Sequence, residues 1–138
     1  MPTVEYLLDY KNYIKRAKEI AKQTADPADM ERNLVYASKA RCYSLCPCFF
    51  EGDKGFAVVS ILGKRAYLIA IATRLQDERQ GIGTLLLERI FLFLTYHGIE
   101  TINLKVHKDN KKAVEWYQRK GFKITGTTES ELRMVKRL

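Results

Sequence analysis

"AYLIAIATRLQDERQGIGTLLLERI", residues 66–90, holds three signals in one run. Residues 66–73 are apolar at nearly every position, which reads as a strand covered on both faces. A charged turn follows, and then Gly81 and Gly83 open a long apolar helix that Gly98 stops. The next run, "ETINLKV" at 100–106, is again strand-like. Strand, helix and strand with no hairpin between them predict a right-handed crossover and a parallel pair.

Working upstream, "CYSLCPCFF" and "GFAVVSIL" are rich in aromatic and β-branched residues, as strands are. The turn "EGDK" joins them as a hairpin, and "GKR" separates "GFAVVSIL" from the run at 66–73. Further back, Tyr6, Leu7, Tyr10, Tyr13, Ile14, Ala17, Ile20 and Ala21 fall on one helical face, with Lys11, Lys15, Lys18 and Lys22 on another. Asp26-Pro27 reads as an N-cap with proline at the first helical position, so a second helix over about 27–40 follows. The chain is therefore expected to open with a helical hairpin rather than a strand. Downstream, Asp109 or Asn110 caps a helix "KKAVEWYQRK" that Gly121 ends, with Phe122 as the apolar residue after it. "FKITGTT" and "ELRMVKRL" close the chain as an antiparallel hairpin. The class is α/β (α+β), a mixed sheet with helices on it.

The chain has 138 residues, within the range of one domain. Its net charge of +8 favours an anionic partner: a phosphorylated cofactor, an acidic protein or a nucleic acid. No apolar run is long enough for a membrane helix, and "MPTVEYLLDY" lacks the basic and apolar regions of a signal peptide, so the expected location is cytoplasmic. Cys42, Cys46 and Cys48 are odd in number and not spaced as zinc ligands; they read as reduced residues of a strand, with no metal site.

The turn before the long helix has a chemistry of its own. A helix start carries unpaired N–H groups and a partial positive charge, which attract phosphate. Gly81 and Gly83 let the backbone bend and leave room for approach, with Arg79 and Gln80 as further donors. The same glycines also fit a second reading, close packing of helix on strand. A Rossmann loop is disfavoured because Leu86 stands where a third glycine would, and no G-K-[ST] follows to make a Walker loop.

"NKKAVEWYQRKGF", residues 110–122, reads N-x-x-A-x-x-W-Y-x-x-x-G-F. With the apolar strand, the G-x-G helix start and the strand between, residues 55–138 resemble the GNAT superfamily of N-acetyltransferases. The resemblance implies one GNAT-like domain over 1–138, with a helical N-terminal part (1–40) and an acetyl-CoA-binding core (55–138). It implies a mostly antiparallel sheet with a central parallel pair, flanking helices and a first strand that is short or missing. Acetyl-CoA is then the acetyl donor, lying between the two parallel strands. Its pantetheine arm maps to Ile71, Ala72 and Thr73, and its pyrophosphate to Arg79, Gln80, Gly81, Ile82, Gly83 and Thr84. Asn110 maps to a cofactor contact, and Tyr117 to the cofactor and the catalytic acid beside the thioester sulfur. The chain departs from the family pattern at Glu78, where Gln or Arg is usual, and in having no carboxylate within 66–73.

The implied reaction is direct attack of a primary amine on the thioester, with a backbone N–H near Ala72 or Thr73 as oxyanion donor. For the base, His107 has an imidazole suited to proton transfer near neutral pH, but it also reads as a surface-loop histidine. Tyr67, Glu51, Asp53 and a water chain are the other candidates. The acceptor is expected to meet the N-terminal helices and the "CPCFFEGDKGF" hairpin. It is a small amine, a protein amine or an aminoacyl-tRNA, and a homodimer is a further partner candidate. The alternative is a non-catalytic acyl-CoA-binding or nucleic-acid-binding module.

Overall fold

The computed structural model describes residues 4–7, 10–40 and 47–138. The elements are β1 (Val4–Leu7), α1 (Tyr10–Ala21), α2 (Pro27–Ala40), β2 (Cys48–Glu51), β3 (Gly55–Leu62), β4 (Arg65–Thr73), α3 (Ile82–Tyr96), β5 (Thr101–His107), α4 (Lys111–Arg119), β6 (Lys123–Thr127) and β7 (Glu131–Arg137). A single 3-10 turn, Leu75–Asp77, joins β4 to the glycine turn. The strands form one sheet in the order β1-β2-β3-β4-β5-β7-β6. Among the described residues, β4 and β5 pair in parallel and the other neighbouring strands are antiparallel. Among the described residues, no helix is long and apolar enough to cross a membrane.

The local signals act as their chemistry requires. Asp26 accepts the Asp29 N–H at 3.1 Å and starts α2 with Pro27. Asn110, rather than Asp109, caps α4 by accepting the Ala113 N–H at 3.2 Å. Gly121, at φ 99°, turns the chain out of α4, and the Phe122 N–H returns to the Tyr117 carbonyl at 3.0 Å. The Glu51–Lys54 turn joins β2 to β3, as the sequence predicts.

Two expectations are corrected. The chain opens with a strand: β1 pairs antiparallel with the otherwise free edge of β2, from Val4↔Glu51 to Leu7↔Cys48. Tyr6 and Leu7, counted on the helical face, belong to this short strand, and α1 begins at Tyr10. The β4 run is not covered throughout either. Tyr67 is exposed although it still pairs with Asn103, and Ile71, Ala72 and Thr73 are half-buried where β5 has left the side of β4. Of the cysteines, Cys48 is buried in β2, while Cys42 and Cys46 lie outside the described residues.

Side chains alternate between two apolar layers. Phe49, Ala57, Val59 and Leu68 face α3 and α4, together with Ile102, Leu104 and Met134. Phe50, Phe56, Val58 and Ala70 face Ala17, Ile20 and Leu34 of α1 and α2. Along β3 and β4 the register skips Ile69, so one residue bulges between the Val58↔Ala70 and Val59↔Leu68 pairs.

The start of α3 is seated on β3 at Gly55. A Cβ there would lie 2.8 Å from Ile82 Cγ2 and 2.9 Å from the Ala72 carbonyl oxygen. The second neighbour is backbone of a central strand and cannot turn aside. Gly55→Ala is expected to lower stability by about 1–3 kcal/mol. Thermal denaturation followed by circular dichroism should show a midpoint several degrees lower. An unchanged midpoint would mean that the packing around Gly55 of β3 is slack.

Candidate functional site

β4 and β5 pair over only three rungs, Arg65↔Thr101, Ala66↔Ile102 and Tyr67↔Asn103. Beyond them the strands diverge. At the fork, Asn103 Nδ2 donates to the Ala66 carbonyl at 3.2 Å. A cleft of about 800 Å³ opens above it, lined by Leu68–Ile71 of β4 and Leu104–His107 of β5.

Ladder alternation shows which backbone groups face that cleft. The Arg74 N–H bonds Lys54, so on β4 the Phe56/Ala72 pair exchanges hydrogen bonds in turn. Ala72 therefore directs its N–H and carbonyl to β3, while Ile71 and Thr73 direct theirs toward β5. On β5, Lys108 N–H to Ser130 and Leu138 N–H to Glu100 fix the opposite edge. Lys105 and His107 then turn their backbone groups toward β4. In the splayed region these groups have no partner strand, which makes both edges acceptors and donors for an extended ligand.

The glycine turn stands at the mouth of the fork. Arg74 Nε and Asp77 Oδ2 form a largely buried ion pair at 2.5 Å that braces the 3-10 turn. Arg79 at φ 67° and Gly81 at φ 77° are both left-handed, an uncommon state for arginine. Gly81 is the N-cap of α3 and no side chain caps the helix, so its first N–H groups stay available to an anion. The two glycines differ, and neither packs the helix on a strand. A Cβ on Gly81 would meet nothing within 4 Å, whereas one on Gly83 would sit 3.3 Å from Trp116 of α4. Gly81 leaves open space, and Gly83 allows close packing of helix on helix. Glu78, Arg79 and Gln80 are exposed.

Ile71, Asn110 and Tyr117 line the cleft together, while Ala72, Thr73 and the glycine turn lie outside its lining. The Asn110 oxygen is used in capping α4, which leaves its NH₂ group as the free donor. Tyr117 is half-buried, with its ring 5.1 Å from Trp116 and 5.5 Å from Phe122, edge-on to both. Burial pushes its phenol above the ordinary value, so it stays protonated through the neutral range.

Among the base candidates, His107 and Tyr67 line the cleft. Glu51 is buried at the end of β2, and its Oε2 has no hydrogen-bond partner among the described residues. Asp53 lies in a separate hollow of about 490 Å³ with Lys15, Arg16, Glu19 and Arg74. The hairpin expected to meet the acceptor thus contributes no residue to the cleft lining, because β3 and β4 stand between. α2 does contribute, through Asp29, Met30 and Asn33. Sequence reasoning missed these, along with Asn103, Thr125, Glu131 and Arg133. Asn103 left one signal: asparagine is unusual inside a strand.

The family model described as "Acetyltransferase (GNAT) family" matches residues 10–122. The ribosomal-protein-S18-alanine N-acetyltransferase from Escherichia coli superposes with a TM-score of 0.79 at 25% identity, covering 99% of this chain and 94% of that one. PaiA N-acetyltransferase from Thermoplasma acidophilum, in complex with coenzyme A, gives 0.74 at 20% identity, covering 99% of each chain. An IAA acetyltransferase from Bacillus cereus ATCC 14579 gives 0.75 at 18% identity, covering 100% of each. No curated protein matches the chain in sequence.

The state of Tyr117 has a measurable consequence. Unfolded, a phenol ionises near pH ~10; folded, Tyr117 keeps its proton to higher pH. Its contribution to stability is complete below about pH 10 and is lost as pH rises further. Tyr117→Phe should therefore flatten the alkaline fall in the urea midpoint between about pH 9 and 11. An identical slope in both proteins would show that the phenol is not shielded.

Proposed function

We propose, because the chain belongs to the GNAT acetyltransferase family, that it transfers the acetyl group of acetyl-CoA to a primary amine. The observation that carries this reading is the fork between β4 and β5, which opens between the uncapped start of α3 and Tyr117 of α4. The chemistry of this chain's residues fits such a donor. Two unpartnered strand edges suit the amides of a pantetheine arm, and the N–H groups of residues 81–84 suit a pyrophosphate, with Arg79 and Gln80 beside them. Ile71 and Thr73 offer backbone groups to the arm, with Ala72 holding the strand to β3. The free amide of Asn110 supplies a further donor.

Acetyl-CoA supplies an activated acyl carbon and a thiol leaving group. The amine nitrogen bonds that carbon, the carbon–sulfur bond breaks, and one proton passes from nitrogen to the protein or solvent. Among the cleft residues, His107 is the side chain suited to receive it. The outward N–H groups of Ile71 and Thr73 are the donors available to the carbonyl oxygen as it gains charge. Tyr117, which lines the cleft and keeps its proton, is the side chain suited to return a proton to the departing sulfur. This positioned acid favours an enzyme over a module that only binds acyl-CoA. The likeness to an enzyme named for a ribosomal protein's alanine favours a protein amine among the acceptor classes.

The test is thiol release from acetyl-CoA over a panel of amines, peptides and aminoacyl-tRNA, beside a direct measurement of acetyl-CoA binding. Binding without thiol release for any acceptor would refute transfer; no binding would refute the donor. For a responsive acceptor, Tyr117→Phe should lower kcat by about 10²-fold while acetyl-CoA affinity stays within about twofold. An unchanged kcat would remove Tyr117 from the mechanism.

A further inference from the structure

The sheet is covered unequally. α1 and α2 pack on β3 and β4, and α3 and α4 cover the opposite face. The face of β5, β7 and β6 that looks away from α3 and α4 is open: Lys105, His107, Lys123, Arg133 and Arg137 on it are all exposed. Its charges are ordered. At the cleft end, His107 and Glu131 are directly opposite one another; the next row back is Lys105 with Arg133; Lys123 stands beside Val135, and Arg137 lies beyond.

The Lys105/Arg133 row is the informative one. The hydrogen bonds at Glu100/Leu138 and Lys108/Ser130 place it at a non-hydrogen-bonded rung, where side chains of antiparallel strands come closest. Like charges directly opposite destabilise a sheet. Neither cation makes an ion pair among the described residues. Two cations thus face each other beside the reaction cleft, and both line it.

We infer that this face docks the acceptor, and that the acceptor is a peptide whose amino terminus is followed by acidic side chains. The inference rests on the transfer reading above and names its substrate class. Successive rows of one sheet face are about 7 Å apart, the same as alternate side chains of an extended peptide. An ammonium placed at Glu131, with Asp29 of α2 across the cleft, sets the carboxylate of the second residue against the Lys105/Arg133 row and that of the fourth against Lys123. A nucleic-acid backbone fits less well. Such partners use about 6–10 phosphate contacts, whereas this face offers Lys105, Lys123, Arg133 and Arg137, and carboxylates flank its entry.

The experiment uses free-amine heptapeptides with Asp and Glu at positions two to four, against matched Asn/Gln and Lys peptides. Binding is read by fluorescence anisotropy with CoA present, and transfer by thiol release from acetyl-CoA. The acidic peptide should exceed the Asn/Gln peptide at least about tenfold in kcat/KM, and the margin should shrink with salt. Combining Lys123→Glu with Arg137→Glu, both outside the cleft lining, should shrink the preference for the acidic peptide while acetyl-CoA affinity is kept. Transfer at equal rates to the acidic and amide peptides, or transfer to aminoacyl-tRNA with no preference among peptides, would overturn the inference. Selective binding of the acidic peptide without thiol release would uphold the surface and refute the transfer reading instead.

Discussion

The short parallel pairing of β4 and β5 governs the rest of the molecule. Three rungs hold the strands together, and Asn103 closes the last of them with a bond to Ala66. Immediately beyond, Ile69 bulges from β4, and a bulge bends its strand and increases local twist. The two strands cannot rejoin, so Ile71, Thr73, Lys105 and His107 keep backbone groups without a partner strand. Unpaired backbone away from water is costly. The fork is therefore stable as an open, wetted cleft that an extended ligand can complete.

The surrounding elements make this opening directional. Ile82 rests close on Gly55, so the first turn of α3 is fixed against β3. The Arg74–Asp77 ion pair holds the connecting turn, and Gly83 lets Trp116 of α4 approach α3 closely. Trp116 and Phe122 in turn hold the Tyr117 ring. One wall thus comes from α3 and α4, with an apolar core behind it. The other side meets α2 and the charged face of β5 and β7. In the proposed reading, donor and acceptor would approach opposite faces of the same break in the sheet.

What the sequence disclosed follows the range of each interaction. The capping of α2 and α4 and the Gly121 exit depend on residues within a few positions of one another, and all were legible. So was the crossover, because an apolar strand, a long helix and another strand leave few alternatives. β1 was not legible: Tyr6 and Leu7 fall in phase with Ile14 and Ala17, and their strand pairing depends on β2, over forty residues away. The bulge at Ile69 and the parity that turns Ala72 to β3 are matters of register, set by partners and invisible in one strand alone. The cleft face of α2 and the Lys105/Arg133 row were hidden for the same reason. Gly81 and Gly83 look equivalent in sequence, and only their neighbours show that one leaves space and the other fills it.

Glu78 poses the remaining electrostatic problem, a carboxylate one residue from a turn suited to an anion. It is exposed and its backbone is extended (φ −61°, ψ 153°), before the chain reverses at Arg79. Two like charges about 4 Å apart in water repel by only ~1 kcal/mol, and salt weakens this further. The helix start favours an anion by about 0.3–1 kcal/mol, before its individual hydrogen bonds are counted. Each charge-assisted N–H bond contributes about 1.5–3 kcal/mol more. Backbone donors therefore outweigh Glu78 as long as it stays in solvent. The fold keeps it there by placing the left-handed turns at Arg79 and Gly81, after the carboxylate and not before it.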